Sequence, residues 1–281
     1  MKNKYSSLNR LRSILAGLCG VLLLGTAPAF AAQCGNGPEG FGGWLQSFKT
    51  QAASRGIKPA AIASALSGVS YDPTVIRLDR SQHSFKLSFE QFYAKRVDNA
   101  LIGRGQALML THRATLERME KRFGVPRAVV IAIWGLETNF GRDAGSKYSI
   151  IRSLATLSYD CRRSEFFTGQ LIDALRIVER GDLSPEQMRG GWAGEIGQTQ
   201  FLPTPYVKYA VDFDGDGHKD LVRSVPDILA STANFLKGHG WQRGQPWQPG
   251  TPNYAVLAEW NKAEVYQRTI AAMAAKIGGN T

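Results

Sequence analysis

Apolar residues in this chain recur at helical rather than strand spacing. Trp44 and Phe48 stand four apart, and Val97, Leu101, Leu108, Leu116, Met119 and Phe123 continue a stripe of the same period. Gly124 stops that segment, and Pro126 suits the first turn of the next. Val129, Val130, Ile131, Ala132, Ile133, Trp134 and Leu136 then predict a helix that is apolar all round and belongs in the middle of a domain. Ser184-Pro185-Glu186-Gln187 predicts another helix start, with an N-cap, a proline at N1 and a capping-box partner; Ser224-Val225-Pro226-Asp227 does the same before 228–236. Gly181 and Gly238 are expected helix stops. Residues 242–253 read as an irregular connection before a last helix over 263–277. Alternating strands are scarce and no fixed-period repeat is visible, so the fold class is mainly α with a minor β element. A soft division falls near 124, giving an N-terminal helical part (32–123) and a core (124–281) where the motifs crowd.

The first 31 residues read as an export signal. Lys2, Lys4, Arg10 and Arg12 form a basic head, 14–24 an apolar run, and Pro28-Ala29-Phe30-Ala31 a cleavage site. The run falls short of the ~20 residues that span a bilayer, which favours removal over anchoring. Gln33 argues against lipid attachment at Cys34. The expected mature chain starts near Ala32, lies in the periplasm, carries no transmembrane segment and is a monomer.

Removing the signal subtracts four of the 34 Lys and Arg and none of the 23 Asp and Glu, leaving 30 − 23 = +7. That balance favours an acidic partner. No basic run interleaved with aromatics suggests nucleic acid. Cys34 and Cys161 remain after cleavage, and an oxidising compartment would join them in a disulfide worth ~4 kcal/mol through the loop it closes. Two separate buried thiols are the alternative.

The apolar helix carries one acid, Glu137, with Trp134 on the same face. Desolvation there would raise the carboxyl's proton affinity, as a glycosidic general acid requires. Periodicity alone also permits Glu137 to end the helix in solvent or beside Arg142.

Gly135-Leu136-Glu137-Thr138-Asn139-Phe140-Gly141 resembles the catalytic motif of the lytic murein transglycosylases of the membrane-bound-B type. Ser153-Leu154-Ala155-Thr156-Leu157-Ser158, Arg162-Arg163-Ser164-Glu165-Phe166-Phe167, the stretch from Ala193 through Gly197-Gln198-Thr199-Gln200 to Pro203, and Ala210-Val211-Asp212-Phe213 come after it in matching order. The resemblance implies a lysozyme-like fold with a glycan groove. It also implies non-hydrolytic cleavage of peptidoglycan between N-acetylmuramic acid and N-acetylglucosamine, giving a 1,6-anhydro product. One Glu, here Glu137, would serve as acid and then base, and no cofactor would be needed for the chemistry.

By the same resemblance Gln200 bonds near the catalytic Glu, Trp260, Asn261 and Tyr266 line the groove, and Arg162 and Arg163 face the peptide carboxylates of the wall. Gly191 stands where many relatives have Ser, Glu195 where Ala is usual, and Trp260 where Tyr is usual. Asp212, Asp214 and Asp216, followed by His218, form the first half of an EF-hand-like loop for a structural Ca²⁺. Its twelfth position is Arg223, so Asp227 is the expected replacement ligand, as a later Asp is in relatives. The competing readings are a hydrolytic muramidase using the same Glu137 and a non-catalytic, calcium-bearing wall-binding module.

Overall fold

Helical periodicity becomes thirteen helices and one short antiparallel strand pair in the described residues, 33–82, 87–145 and 147–279 of a computed structural model. The expected export signal, 1–31, lies outside them. In chain order the helices are α1 (Phe41–Ser54), α2 (Pro59–Leu66), α3 (Pro73–Arg80), α4 (Phe89–Arg96), α5 (Asn99–Thr111), α6 (Arg113–Phe123) and α7 (Arg127–Thr138). They continue with α8 (Ile150–Tyr159), α9 (Ser164–Arg180), α10 (Pro203–Tyr209), α11 (Val225–Gly238), α12 (Pro252–Trp260) and α13 (Glu264–Ile277). Strand β1 (Tyr148–Ser149) pairs with β2 (Arg189–Gly190).

The apolar run after Gly124 is α7, the central helix. Val129 to Ile133 are fully inaccessible, and the helix packs against α5, α6, α11 and α13. The stripe from Val97 to Phe123 is divided between helices because polar side chains cut it. Asp98 caps α5 by accepting from the Leu101 N–H at 2.6 Å, and α6 starts afresh at His112. Gly124 ends α6 and Gly181 ends α9, both in left-handed backbone conformation.

Two expectations need correction. The capping box at Ser184 forms, with Ser184 N–H donating to Gln187 Oε1 at 2.7 Å and Gln187 N–H to Ser184 Oγ at 3.4 Å, yet it closes a single turn and no helix is built on it. Met188 is fully buried and its carbonyl accepts from Ile150 N–H, so the chain straightens into β2. Strand pairing and burial outweigh a local cap worth about 1 kcal/mol. Helix α12 was also unforeseen. Its apolar pattern is weak, and it is anchored by buried Asn253, which bonds the Gln242 N–H and the Gln242 and Gln245 carbonyls.

Cys34 and Cys161 form a disulfide with Cα atoms 5.0 Å apart, as expected. Beside it Gly35 N–H donates to the Tyr159 carbonyl, and Tyr159 packs with Phe41, Trp44 and Tyr71. No helix of the described residues is long and apolar enough to cross a membrane.

Candidate active site

Glu137 is the penultimate residue of α7, and the turn beyond the helix end fixes its direction. Asn139, Phe140 and Gly141 have φ values of 51°, 60° and 82°, three consecutive left-handed residues that swing the chain sharply off the helix. Such conformations cost on the order of 1–3 kcal/mol at a non-glycine residue, so they persist only where the surroundings impose them. Here the imposing contacts are specific. Thr138 Oγ1 donates to the Gln198 carbonyl and accepts from Gly141 N–H, while Arg104 donates to Asn139 Oδ1 at 2.9 Å. A Cβ at Gly141 would stand 2.2 Å from Gln198 Oε1, so glycine is required there for space as well as for φ.

The Glu137 carboxylate meets two neutral donors, both on Oε1: Trp260 Nε1–H at 2.9 Å and the Tyr266 hydroxyl at 2.8 Å. No ion pair to Glu137, with Arg142 or any other cation, is formed among the described residues. Burial raises its proton affinity above the ordinary carboxyl value. The two hydrogen bonds and the Arg96 charge oppose that rise, and the Glu195 charge adds to it. Trp134, on the same helical face, gives its indole N–H to Gln198 Oε1 at 2.9 Å rather than to the acid. Tyr266 is itself buried, and burial followed by the Glu137 charge holds its hydroxyl proton firmly. It therefore stands as a donor to Glu137 under ordinary conditions.

Glu137 lies on the wall of a cleft of about 520 Å³ shared by Arg163, Phe166, Glu195, Gln200, Trp260 and Asn261. A smaller cavity of about 320 Å³, lined by Lys95, Arg96 and Arg104, reaches Glu137 from the α4–α5 side. Gln200 has a left-handed backbone (φ 55°) and is held by its Nε2 donating to the Gly197 carbonyl at 2.8 Å. Trp260 packs edge-on against Phe201 and Phe235, which fixes the indole over the acid. Asn261 caps α12, its Oδ1 accepting from Ala263 N–H.

The structure thus brings Glu137, Gln200, Trp260, Asn261 and Arg163 to one cleft and sets Tyr266 behind the acid. Arg162 is not among the cleft-lining residues. Both arginines bond the buried Asp79, which Arg80 also contacts. Sequence reasoning overlooked Phe166, a half-exposed aromatic in the cleft packed edge-on to Phe167. Its only signal was its place in the run that begins at Arg162.

Residues 40–251 match the family model described as the transglycosylase SLT domain. The chain belongs to that family. It is 40% identical over 146 residues to the membrane-bound lytic murein transglycosylase B of Escherichia coli K12; that match takes in 49% of this chain and 40% of the relative, so the chain spans well under half of the relative's length. SltB3 of Pseudomonas aeruginosa, solved with NAG-anhNAM-pentapeptide and with NAG-NAM-pentapeptide, superposes with a TM-score of 0.80 at 33% identity, covering 85% of this chain and 80% of that one. The Escherichia coli lytic transglycosylase SLT35, solved with calcium, shares the fold at TM-score 0.74 and 23% identity, covering 88% of this chain and 96% of that one. The mainly helical, lysozyme-like architecture expected from the sequence is the one observed.

Away from the cleft, carboxylate oxygens of Asp212, Asp214 and Asp227 lie within 4.8 Å of one another. Asp227 accepts from Phe213 and Asp220 N–H, and Asp212 from Gly215 and Gly217 N–H. Asp216 falls outside this grouping, its Oδ1 accepting from His218 N–H, and the His218 ring contacts the Gly181 carbonyl. Arg223 pairs with Asp220. Three converging hard oxygens fit a hard cation.

Proposed function

We propose that this chain is a periplasmic lytic transglycosylase that cleaves the β-1,4 bond between N-acetylmuramic acid and N-acetylglucosamine in peptidoglycan. The observation that carries the reading is the desolvated Glu137 carboxyl, held on one oxygen by two neutral side-chain donors at the wall of the cleft. Glu137 starts protonated and gives its proton to the glycosidic oxygen as the C1–O bond breaks. The muramic acid 6-hydroxyl oxygen then bonds to C1, and its proton passes to Glu137, which regains its starting state. No water is consumed. Because the nucleophile belongs to the substrate, its attack is intramolecular and no second protein carboxylate is needed. Gln200, Trp260 and Asn261 bind the glycan, and Arg163, with Arg162 behind it, attracts peptide carboxylates. The NAG-anhNAM-pentapeptide bound by SltB3 supports an anhydro product.

Mass spectrometry of sugars released from purified sacculi tests the proposal, since the anhydro end is one water lighter than a hydrolysed one. Hydrolysed ends would identify a muramidase instead, and binding without release would identify a wall-binding module. Asp212, Asp214, Asp216, the His218 carbonyl and Asp227 would hold a structural Ca²⁺, as the calcium found in SLT35 supports. At a hundred times its dissociation constant the ion would add about 2.7 kcal/mol. Titration calorimetry without a Ca²⁺ signal, together with a melting curve indifferent to chelator, would remove that part of the proposal.

A further inference from the structure

Two residues that the catalytic account leaves unused, Gly191 and Glu195, form one unit at the cleft. Gly191 N–H donates to the Glu195 carbonyl at 3.0 Å, and Glu195 Oε2 accepts from Ala193 N–H at 3.0 Å. The carboxylate consequently lies over Gly191, where an added Cβ would stand 2.2 Å from Oε2 and 2.9 Å from Cδ. Gly191 does not have a left-handed backbone, so space rather than φ excludes a side chain there. Glu195 lines the same cleft as Glu137, Gln200 and Asn261. It forms no ion pair among the described residues: Arg163, the nearest cation on the cleft wall, is bonded to Asp79. Its only hydrogen bonds among those residues are to backbone N–H groups. A largely desolvated carboxylate with unused acceptor capacity is costly unless a donor reaches it.

We propose that Glu195 is a substrate-positioning residue whose free carboxylate oxygen accepts a hydrogen bond from a hydroxyl or acetamido N–H of the glycan, and that Gly191 is the space that permits it. The proposal rests on the transglycosylase reading. It assigns Glu195 to binding rather than bond cleavage, so its contact is formed equally in ground and transition states.

The test is steady-state kinetics on a soluble muropeptide oligomer, with thermal melting as a check on folding. Glu195→Ala should raise KM about tenfold, the worth of one charge-assisted hydrogen bond, with kcat within about twofold of the parent when both are read at a pH below their alkaline limbs, since losing the Glu195 charge also lowers the proton affinity of Glu137. Glu195→Gln keeps an acceptor oxygen and should recover most of the loss. Gly191→Ala displaces the carboxylate and should raise KM to a similar extent, while Gly191→Ala/Glu195→Ala should be no worse than either single variant. Unchanged KM in Glu195→Ala, a fall confined to kcat, or additive losses in the double variant would each overturn the proposal. A parent protein that releases nothing from the oligomer would end the transglycosylase reading, and this one with it. An active parent with an indifferent Glu195→Ala ends this inference alone.

Discussion

Replacing Glu137 by Gln should nearly abolish activity and make the protein more stable. The amide is isosteric, and its Oε1 still accepts from Trp260 Nε1–H and the Tyr266 hydroxyl, so two hydrogen bonds worth about 1 kcal/mol each are retained. What disappears is the proton that can be given and taken back, and general acid–base catalysis is typically worth about 10²–10⁴-fold. In the proposed mechanism Glu137 acts in both halves of the reaction, so a loss of at least about 10³-fold is expected. The stability change comes from linkage. Burial raises the folded proton affinity of Glu137 above its unfolded value. Its favourable contribution is therefore complete below the unfolded value and is lost as pH rises through the folded one. Gln does not titrate, so the variant and the parent should melt alike at about pH 4 and diverge toward pH 8, the variant higher. The gap grows by about 1.4 kcal/mol for each unit of upward displacement, and each kcal/mol moves Tm by about 2–4 °C in a domain of this size. Glu137→Ala provides the contrast, because it strands Trp260 Nε1–H and the Tyr266 hydroxyl and should melt below Glu137→Gln at every pH. Glu137→Gln activity above about one part in a hundred, or a melting gap that closes as pH rises, would refute the reasoning.

Tyr266→Phe removes a donor that lowers the proton affinity of Glu137, so the carboxyl should stay protonated to higher pH; the alkaline limb of kcat/KM should move upward while the maximal rate falls. Asp79 is pushed upward by burial but held below the usual carboxylate range by hydrogen bonds and charge from Arg162 and Arg163. Its stabilisation is thus present above the unfolded carboxyl value and lost as pH falls through the folded one. Asp79→Asn should cost about 2 kcal/mol in denaturant melts at neutral pH, less than a wholly buried pair because the arginines are about 40% exposed. Reducing Cys34–Cys161, which spans 127 residues of sequence, should lower stability by about 4 kcal/mol; an unchanged denaturation midpoint on adding reductant would contradict this.

The elements that the sequence disclosed are those whose reasons are local. Helix α7 was legible because seven apolar residues announce burial, and Gly124 and Gly181 because few other residues end a helix in left-handed conformation. The turn at Ser184 was misread for the converse reason: its local cap is genuine, but the buried Met188 and the pairing of β2 with β1 are decided by residues some forty positions away. The site divides similarly. Glu137 stood out as the lone acid of an apolar helix, while Trp260 and Tyr266 came from a family resemblance, because no periodicity links α7 to side chains more than a hundred residues later. That resemblance described groove-lining groups; the geometry makes both of them donors to the acid, with Tyr266 behind it. Gly191 and Glu195 looked like two separate departures from the family pattern. They are one, since the side chain that Gly191 lacks would occupy the volume of the Glu195 carboxylate.

A buried carboxyl is protonated more readily when the cations around it are otherwise engaged. Arg96 lies close enough to Glu137 to lower its proton affinity, yet its Nη2 donates to the Leu136 carbonyl one residue earlier on the same helix. Arg104, on the next helix, is held at Asn139 Oδ1 just past the acid. The Leu136 carbonyl is one of the last four of α7, which have no partner within the helix; Arg104 instead meets a side-chain amide oxygen just past the helix end. A bidentate pair with Glu137 would have driven the carboxyl to the charged form and emptied it of its proton. The Leu136 carbonyl and the Asn139 side chain each engage one guanidinium, and the hydrogen bonds to Glu137 come from Trp260 and Tyr266. Those two donors lower its proton affinity more than Arg96 does, and burial outweighs all three.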